Sequence, residues 1–446
     1  MEKKEVKLKR ELGLLAAISM VVGNTIASAI FIIPQNLAAC SNPKSTILAW
    51  IITIIGTIFL ALSFSNLATK FPTTGGCIIY TKKAFGDVAA FLVAWTYWIA
   101  LWVGNAAVIT SMMRYLAYVV PIVGDNKLIG FIIASFVLWT ITFINISGVK
   151  NAGIFQIVTT ICKLIPLLIF VIIAAFHFHP EYFNSPTSQD VASMNTVPQA
   201  IAITLWALVG FESSTTVAGE IKNPEKNLKR STLYGTLIVA AVYILVSIMS
   251  MGVMPQSALA KSEAPMADMM NLMTGGTWGG IFISIAFVVS IVGALNSGIL
   301  IAARSAFAAA EDNLFPKIFG NVDEKFHTPK SALIITGIAV NIVLLMNCVN
   351  GLNAAYNFLI LLATLAFLVA YAATAAAEVV LVVKHDNKLN VGNFIKNSIV
   401  PLLGFAYVTY AIYGSGAETV MWGFLLMLIG IPFYLYIKVS ERTKKI

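Results

Sequence analysis

Residues 14–40 read LLAAISMVVGNTIASAIFIIPQNLAAC, and this stretch carries the pattern that decides the fold. It contains no charged residue and exceeds the roughly 20 apolar residues that a helix needs to cross a membrane. Near its middle lie the small and polar residues 23–29, and Pro34 follows them. We therefore expect a membrane-spanning helix that is unwound near its centre.

The composition of the whole chain is typical of a membrane protein. Of 446 residues, 59% are hydrophobic and 11% are charged, whereas an average soluble protein is about a quarter charged. The four cysteines are scattered without a CxxC motif, so neither a disulfide framework nor a zinc site is indicated. The net charge of +9 is spread along a hydrophobic chain, which argues against a nucleic-acid partner.

Apolar runs separated by turn residues and charges predict twelve membrane spans. All are expected to be helices, because an open sheet cannot satisfy its backbone hydrogen bonds in lipid. Numbered in chain order, the spans are 14–40, 46–69, 89–120, 128–148, 153–177, 197–219, 231–254, 278–303, 331–350, 354–382, 397–414 and 418–437.

The lysines and arginines predict the orientation of the chain. The N-terminal segment, every second loop and the C-terminal segment together hold 24 of the 29, whereas the opposite loops hold only Lys44, Lys127 and Lys261. Positive charge is enriched on the cytoplasmic side of membrane proteins. Both termini are therefore predicted to be cytoplasmic, which requires an even number of spans.

Span 6 contains a second group of small and polar residues at mid-depth. Residues 206–214 read WALVGFESS. Interrupted helices at corresponding positions of two halves point to a transporter binding site, where freed backbone groups and helix ends bind the substrate. Spans 1 and 6 correspond if spans 1–5 and 6–10 are inverted repeats. The alternative is that small residues only allow close helix packing, and Glu212 beside the second segment disfavours it.

Several motifs resemble those of the amino acid-polyamine-organocation superfamily, and within it the bacterial basic amino acid and polyamine antiporters, including arginine/agmatine antiporters. They are TYWIALWVGN at 96–105, TLWALVGFE at 204–212, KNP at 222–224, EDNLFP at 311–316, GSGA at 414–417 and MW at 421–422. The resemblance covers almost the whole chain. It implies an all-α polytopic membrane protein with twelve transmembrane helices, built as a five-plus-five inverted repeat with broken helices 1 and 6 and two extra helices.

The resemblance also implies a division of the chain and a working principle. It places a cytoplasmic N-terminus at 1–13, a transport core at 14–382, spans 11 and 12 within 383–437, and a cytoplasmic C-terminus at 438–446. Transport by alternating access around a central site is expected.

Matching positions give the expected substrate site. In the family, a small loop of the first broken helix binds the substrate carboxylate, while carbonyl groups of the first and sixth helices bind its amino group. Here two methyl groups flank Ser28 in that loop and narrow the approach to the backbone. The implied substrate-binding residues are Thr25, Ile26, Ser28, Ala29, Ala100, Leu101, Asn105, Trp206, Val209 and Gly298.

Two of these positions bear on gating and selectivity. Trp206 matches the family's gating aromatic residue, and a packing tryptophan is the alternative. Gly298 departs from the arginine/agmatine antiporters, which have a tryptophan there that packs on the side chain of arginine. We therefore expect neutral amino acids to be slightly preferred over arginine or polyamines.

Four charged residues lie in the interior of the predicted spans, and such residues are functional candidates by default. Arg114 and Glu378 lie close enough to span ends to be interpreted as structural. Glu212 can attract a cation or exchange a proton, or it can brace the broken helix. Lys163, near the middle of span 5, resembles the lysine of sodium-independent amino acid transporters whose ammonium replaces a sodium ion. Lys163 and Glu212 are the predicted coupling or pH-sensing residues.

The sequence thus predicts a sodium-independent amino acid exchanger of the plasma membrane, with proton-coupled uptake and arginine/polyamine antiport as alternatives. An ion channel would need a filter or rings of charge, and a membrane enzyme would need clustered histidines or carboxylates, whereas the four histidines lie in loops or at span ends. We expect no enzymatic activity, cofactor or metal. The expected partners are amino acid or amine substrates, membrane lipid and a second copy in a homodimer.

Overall fold

The computed structural model describes residues 8–184, 196–349, 353–385 and 390–443. In this part of the chain, eleven helices are long and apolar enough to cross a membrane, and Val197–Leu208 is a shorter apolar helix. One isolated parallel β-bridge joins Leu12 to Ile221. The chain is therefore an all-α, multi-pass membrane protein, as predicted.

The helices follow the predicted spans in order. Span 1 consists of Leu14–Thr25 and Ala29–Cys40, and span 6 of Val197–Leu208, Ser213–Thr216 and the 3₁₀ turn Ala218–Glu220. The other spans are Pro43–Lys70, Asp87–Val119, Lys127–Ile146, Val149–Phe176, Pro224–Val253, Trp278–Glu311, Lys330–Cys348, Asn353–His385, Val391–Gly414 and Ala417–Thr443. Shorter helices are Cys77–Phe85, Ile122–Asp125, Pro180–Asn184, Gln256–Leu259 and Pro265–Thr274, with a 3₁₀ turn at Lys317–Gly320.

Several helices extend beyond the apolar runs from which they were predicted. Span 7 begins at Pro224 rather than at residue 231, since proline suits the first turn of a helix, where its missing N–H is not needed. Span 8 continues past residue 303 to Glu311. Hydropathy detects the part of a helix that lies in lipid, and charged helical turns outside it carry no such signal.

Contacts between spans show a two-fold pattern. Span 1 packs on span 7 as span 6 packs on span 2, and span 5 packs on span 8 as span 10 packs on span 3. Span 4 packs on span 8 as span 9 packs on span 3. In each comparison the two corresponding spans differ by five in number, one from spans 1–5 and the other from spans 6–10. Because consecutive spans cross the membrane in alternating directions and five is odd, corresponding spans cross it in opposite directions. Spans 1–5 and 6–10 are thus inverted repeats.

The two extra spans lie on the outside of this core. Span 11 contacts spans 2, 6 and 10, and span 12 contacts spans 3 and 10. Span 8 is the most buried of the long helices and span 12 is the most exposed. The broken spans 1 and 6 therefore belong to the core, while spans 11 and 12 cover one side of it.

Candidate functional site

Both predicted breaks are present in the structure. Span 1 ends its first helix at Thr25 and begins its second at Ala29. Span 6 ends its helix at Leu208 and resumes at Ser213. Gly210 in this second gap has a φ of 109°, a left-handed conformation that glycine adopts without steric cost. The small residues noted in the sequence thus mark real interruptions.

The two breaks lie against each other. A Cβ atom on Gly210 would lie 2.7 Å from Nδ2 of Asn24 and 3.2 Å from the backbone nitrogen of Thr25. The Asn24 side chain donates a hydrogen bond to Oγ of Ser213, at 2.9 Å, and Ser213 Oγ in turn donates to the Gly210 carbonyl. Glycine is therefore required at this position for the unwound segments to form one central site.

Lys163 is bound to the break of span 1. Its side chain is 1% exposed, and its ammonium donates to the carbonyls of Gly23 and Ile26, each at 2.8 Å. The Thr25 carbonyl accepts from the hydroxyl of Tyr243 at 3.1 Å. Carbonyl groups that lose helical partners at a break need other donors when buried. The Lys163 ammonium supplies them here.

A network of amides extends from this point along span 5. Gln156 Nε2 and the Thr160 hydroxyl donate to the Ser19 carbonyl at 3.2 Å and 3.1 Å, and Asn296 Nδ2 donates to Gln156 Oε1 at 2.9 Å. Any Cβ on Gly23 would collide with the Gln156 amide. Span 1 is therefore held to spans 5 and 8 by buried polar groups that the sequence analysis missed.

Glu212 is fully engaged at the break of span 6. It is 1% exposed. Its Oε1 accepts from the Tyr97 hydroxyl at 2.8 Å, and its Oε2 accepts from the Tyr371 hydroxyl at 2.7 Å and the Gly210 N–H at 3.1 Å. The carboxylate thus ties span 6 to spans 3 and 10. Spans 5 and 10 correspond in the repeat, so Lys163 and Tyr371 hold the two breaks in related ways.

Trp206 lies in the last turn of the helix that precedes the break of span 6 and is partly exposed. Its ring lies 6.1 Å from that of Phe367 in an edge arrangement, and the Phe367 ring lies 5.6 Å from that of Tyr97. Aromatic rings therefore connect Trp206 to the tyrosine that binds Glu212. Trp206 thus lies next to the break of span 6 and is linked by ring contacts to span 10 and span 3.

Asn105 and Gly298 face each other across spans 3 and 8. A Cβ atom on Gly298 would collide with the Asn105 amide. Asn105 Nδ2 and Trp102 Nε1 are buried donors without a hydrogen-bond partner in the described ranges. Ala100 and Leu101 are buried on the same helix. Buried donors that lack a partner are costly, so this region is suited to an acceptor atom of a ligand.

The predicted site residues thus fall into two groups. Those at the breaks, and bonded to them, are Thr25, Ile26, Ser28, Ala29, Lys163, Trp206, Val209 and Glu212, of which Ser28, Ala29 and Val209 are half-buried. Those on span 3 and its neighbour span 8 are Ala100, Leu101, Asn105 and Gly298. Tyr97 links the groups, because span 3 carries it one turn before Ala100.

Arg304 and Glu220 form a buried ion pair that the sequence did not suggest. Both side chains are fully buried, with Nη2 of Arg304 2.9 Å from Oε1 of Glu220 and Nε 3.1 Å from Oε2. Glu220 also accepts backbone hydrogen bonds from Glu11 and Leu12, and Leu12 accepts one from Lys222. The pair therefore joins span 8 to the end of span 6, whose backbone in turn binds the N-terminal segment. Span 8 was predicted to end before Arg304, which placed this residue in a loop.

The other two charged residues within spans differ from each other. Glu378, interpreted from the sequence as structural, is 4% exposed and accepts a hydrogen bond from Asn66 at 3.0 Å. Arg114 is exposed, and it makes no hydrogen bond or ion pair within the described residues.

Comparisons with known proteins define the class. The sequence profile of the amino acid permease family matches residues 12–434. The chain therefore belongs to this family, and the resemblance to the amino acid-polyamine-organocation superfamily is confirmed.

Individual relatives match the chain over nearly its full length. It is 32% identical to an arginine/ornithine antiporter of Pseudomonas aeruginosa, an alignment that covers 96% of this chain and 90% of that protein. It is 31% identical to an arginine/ornithine antiporter of Latilactobacillus sakei, covering 96% and 91%. It is also 31% identical to an arginine/agmatine antiporter of Chlamydia caviae, covering 98% and 92%.

Proposed function

We propose that this chain is an antiporter that exchanges amino acids or related amines by alternating access, without sodium. The observation that carries the proposal is the contact between the two breaks, where Gly210 lies against Asn24 and Thr25. Unwound segments at the interface of two repeats are where secondary transporters bind their substrates. The antiporters among the relatives support exchange rather than uptake alone.

Lys163 is the reason to expect independence from sodium. Its ammonium lies within 2.8 Å of two carbonyls of span 1. Carbonyls of unwound helices are the groups that coordinate sodium in related folds. A second cation at the same oxygens would be repelled by the ammonium, since like charges a few ångströms apart disfavour each other.

Lys163 and Glu212 are also the proposed coupling groups. Each is buried and each is hydrogen bonded to one of the two breaks. A group whose protonation free energy differs between two conformations shifts the equilibrium between them. Proton-coupled uptake is the second candidate function, and the burial of two ionisable groups at the moving segments favours it.

The substrate is proposed to bind with its α-amino acid part at the breaks and its side chain toward Asn105 and Gly298. Ser28 and Ala29 lie at the half-buried loop of span 1, and Trp206 and Val209 lie at the edge of the span 6 break. Both oxygens of Glu212 already accept hydrogen bonds. A cationic side chain would therefore lack a free carboxylate there, which supports the preference for neutral amino acids. Arginine antiport is the alternative, supported by the names of the relatives.

A counterflow panel tests the proposal. Purified protein is reconstituted in liposomes loaded with one unlabelled amino acid or amine at a time, and uptake of the same labelled compound is followed without ion gradients. We expect uptake only when the lumen contains a substrate. Uptake into empty liposomes that requires an imposed proton gradient would instead identify a symporter. No uptake of any compound in the panel would refute transport of this class.

A further inference from the structure

A large cavity lies outside the site described above. It has a volume of about 1090 Å³ and opens between the ends of spans 3, 4 and 9 and the segment that connects spans 7 and 8. Binding sites for small molecules usually have volumes of about 300 to 1,000 Å³. The cavity is therefore large enough for an amino acid and its water. We call it the outer cavity, because the charge pattern predicts this end of the bundle to be outside.

The outer cavity is lined by charges of both signs. Arg114 and Lys127 line it together with Glu263 and Asp268. Arg114 is exposed and makes no hydrogen bond or ion pair with any residue that the structure describes. An unpaired charge on a membrane span commonly marks a substrate or ion pathway. A guanidinium and two carboxylates that line one cavity match a ligand that carries an anionic and an ammonium group together.

Three aromatic rings separate the outer cavity from the break of span 1. Tyr115 lines the cavity, and its ring stacks on Phe287 with centroids 4.1 Å apart. Phe31 contacts Phe287 edge-on at 4.4 Å and lies three residues after Ser28. The Tyr115 hydroxyl donates to the Phe31 carbonyl at 3.4 Å. All three side chains are buried, so they form a packed cluster that connects the lining of the cavity to the residues just after the break of span 1.

We propose that the outer cavity is a second, transient binding site for the zwitterionic part of an amino acid. The guanidinium of Arg114 binds the carboxylate through paired hydrogen bonds, and Glu263 with Asp268 binds the ammonium. The substrate waits there until Phe31, Tyr115 and Phe287 separate and open the way to the central site. This proposal rests on the proposed function, because it assumes that amino acids are transported.

A lipid headgroup could supply the same pair of groups, an anion and an ammonium. A phosphatidylethanolamine headgroup also carries an anion beside an ammonium, and the cavity lies among membrane spans. An amino acid is the favoured source because the aromatic cluster connects Tyr115 in the cavity lining to Phe31, just after the break of span 1. The test below separates the two sources by varying the lipid.

The test compares Arg114→Gln with Lys44→Gln, an exposed lysine that is predicted to lie on the same side and does not line the cavity. Exchange is measured in oriented vesicles with substrate varied on one face at a time. Arg114→Gln should raise the apparent KM on the cavity face at least about tenfold, the scale of one hydrogen bond to a charged group. The KM on the opposite face and the maximal rate should match Lys44→Gln. Arg114→Lys should restore part of the affinity.

A second measurement reports occupancy directly. Cys348 lines the outer cavity, and its labelling by a membrane-impermeant thiol reagent should slow when arginine or a transported neutral amino acid is added. The other three cysteines are replaced by serine for this purpose. Arg114→Gln should remove the protection.

Each outcome decides between the explanations. Equal KM values for Arg114→Gln and Lys44→Gln, or equal changes on both faces, would overturn the outer site while leaving the proposed function intact. An Arg114→Gln effect seen only in vesicles that contain phosphatidylethanolamine, and not in phosphatidylcholine with phosphatidylglycerol, would assign the cavity to lipid. If the wild-type protein exchanges no amino acid, the proposed function is refuted. The outer site is then refuted as well, because it assumes that amino acids are transported.

Discussion

Replacing Lys163 with methionine should slow exchange about thirtyfold. The substitution keeps a long side chain but removes the donor of two hydrogen bonds, to Gly23 and Ile26. A buried carbonyl that loses its partner costs about 1 to 3 kcal/mol. Two of them would therefore destabilise this conformation by about 2 to 6 kcal/mol.

The lower end of that range is the expected effect. Removing the ammonium also removes the cost of burying a charge, which offsets part of the loss. About 2 kcal/mol changes a conformational equilibrium roughly thirtyfold. If exchange requires the conformation in which Lys163 is bound to span 1, the rate falls by that factor.

The assay is exchange in proteoliposomes at matched protein density, over a range of pH. Lys150→Met is the control, because Lys150 lies on the same helix and is exposed. Lys163→Met should also flatten the pH dependence of exchange, and Lys163→Arg should not restore it, since arginine is bulkier and stays charged. Exchange by Lys163→Met at the rate of the control would refute the reasoning. A reduced rate with the wild-type pH profile would mean that Lys163 only holds span 5 to span 1. Glu212 would then be the coupling group.

Three other substitutions test the account. Trp206→Ala should lower exchange far more than expression, because truncating a partly exposed tryptophan costs less than the roughly 3 to 5 kcal/mol of a fully buried one. Gly298→Ala should displace the Asn105 amide and raise the apparent KM for the substrate about tenfold, which is the scale of one lost hydrogen bond. In the wild-type protein, arginine should compete for exchange less well than a medium-sized neutral amino acid. Arg304→Gln should destabilise the protein by about 3 to 5 kcal/mol, because it leaves the carboxylate of Glu220 buried and unpaired, and thermal unfolding in detergent measures this.

Each of these variants has a matched control in the chain. Trp139→Ala removes a half-buried tryptophan from span 4. Gly104→Ala adds a methyl group to span 3 where no atom lies within 4 Å. Arg230→Gln removes an exposed arginine. If Trp206→Ala or Gly298→Ala behaves like its control, the residue concerned has only a packing role. If Arg304→Gln is as stable as Arg230→Gln, the ion pair with Glu220 does not stabilise the fold. Arginine outcompeting every neutral amino acid would refute the neutral preference.

The breaks could be predicted because their cause is local. Small and polar residues in an apolar run, such as residues 23–29, weaken a helix wherever it lies. Lys163 was found for a similar reason, since a charge at mid-span is conspicuous without any knowledge of its partners. The five-plus-five repeat was implied by the resemblance to the amino acid-polyamine-organocation superfamily, and the positions of the two breaks agree with it.

The partners of those residues could not be predicted in the same way. Tyr97 and Tyr371 lie on spans far apart in sequence, and nothing near either tyrosine indicates that both bind Glu212. Arg304 was misplaced because the predicted span stopped at this charged residue, whereas the helix continues through the buried residues 305–310 to Glu311. The close approach of the Asn105 amide to Gly298 depends on how spans 3 and 8 pack, and hydropathy contains no information on this packing.

The central claim is that a lysine takes the place of a coupling sodium ion at the break of span 1. Its most direct test is the initial rate of counterflow in liposomes that contain a substrate found in the panel, in sodium and in choline buffers of equal ionic strength. The account predicts the same rate in both, because the Gly23 and Ile26 carbonyls already bind the Lys163 ammonium. A rate that rises with sodium concentration at constant ionic strength would contradict it.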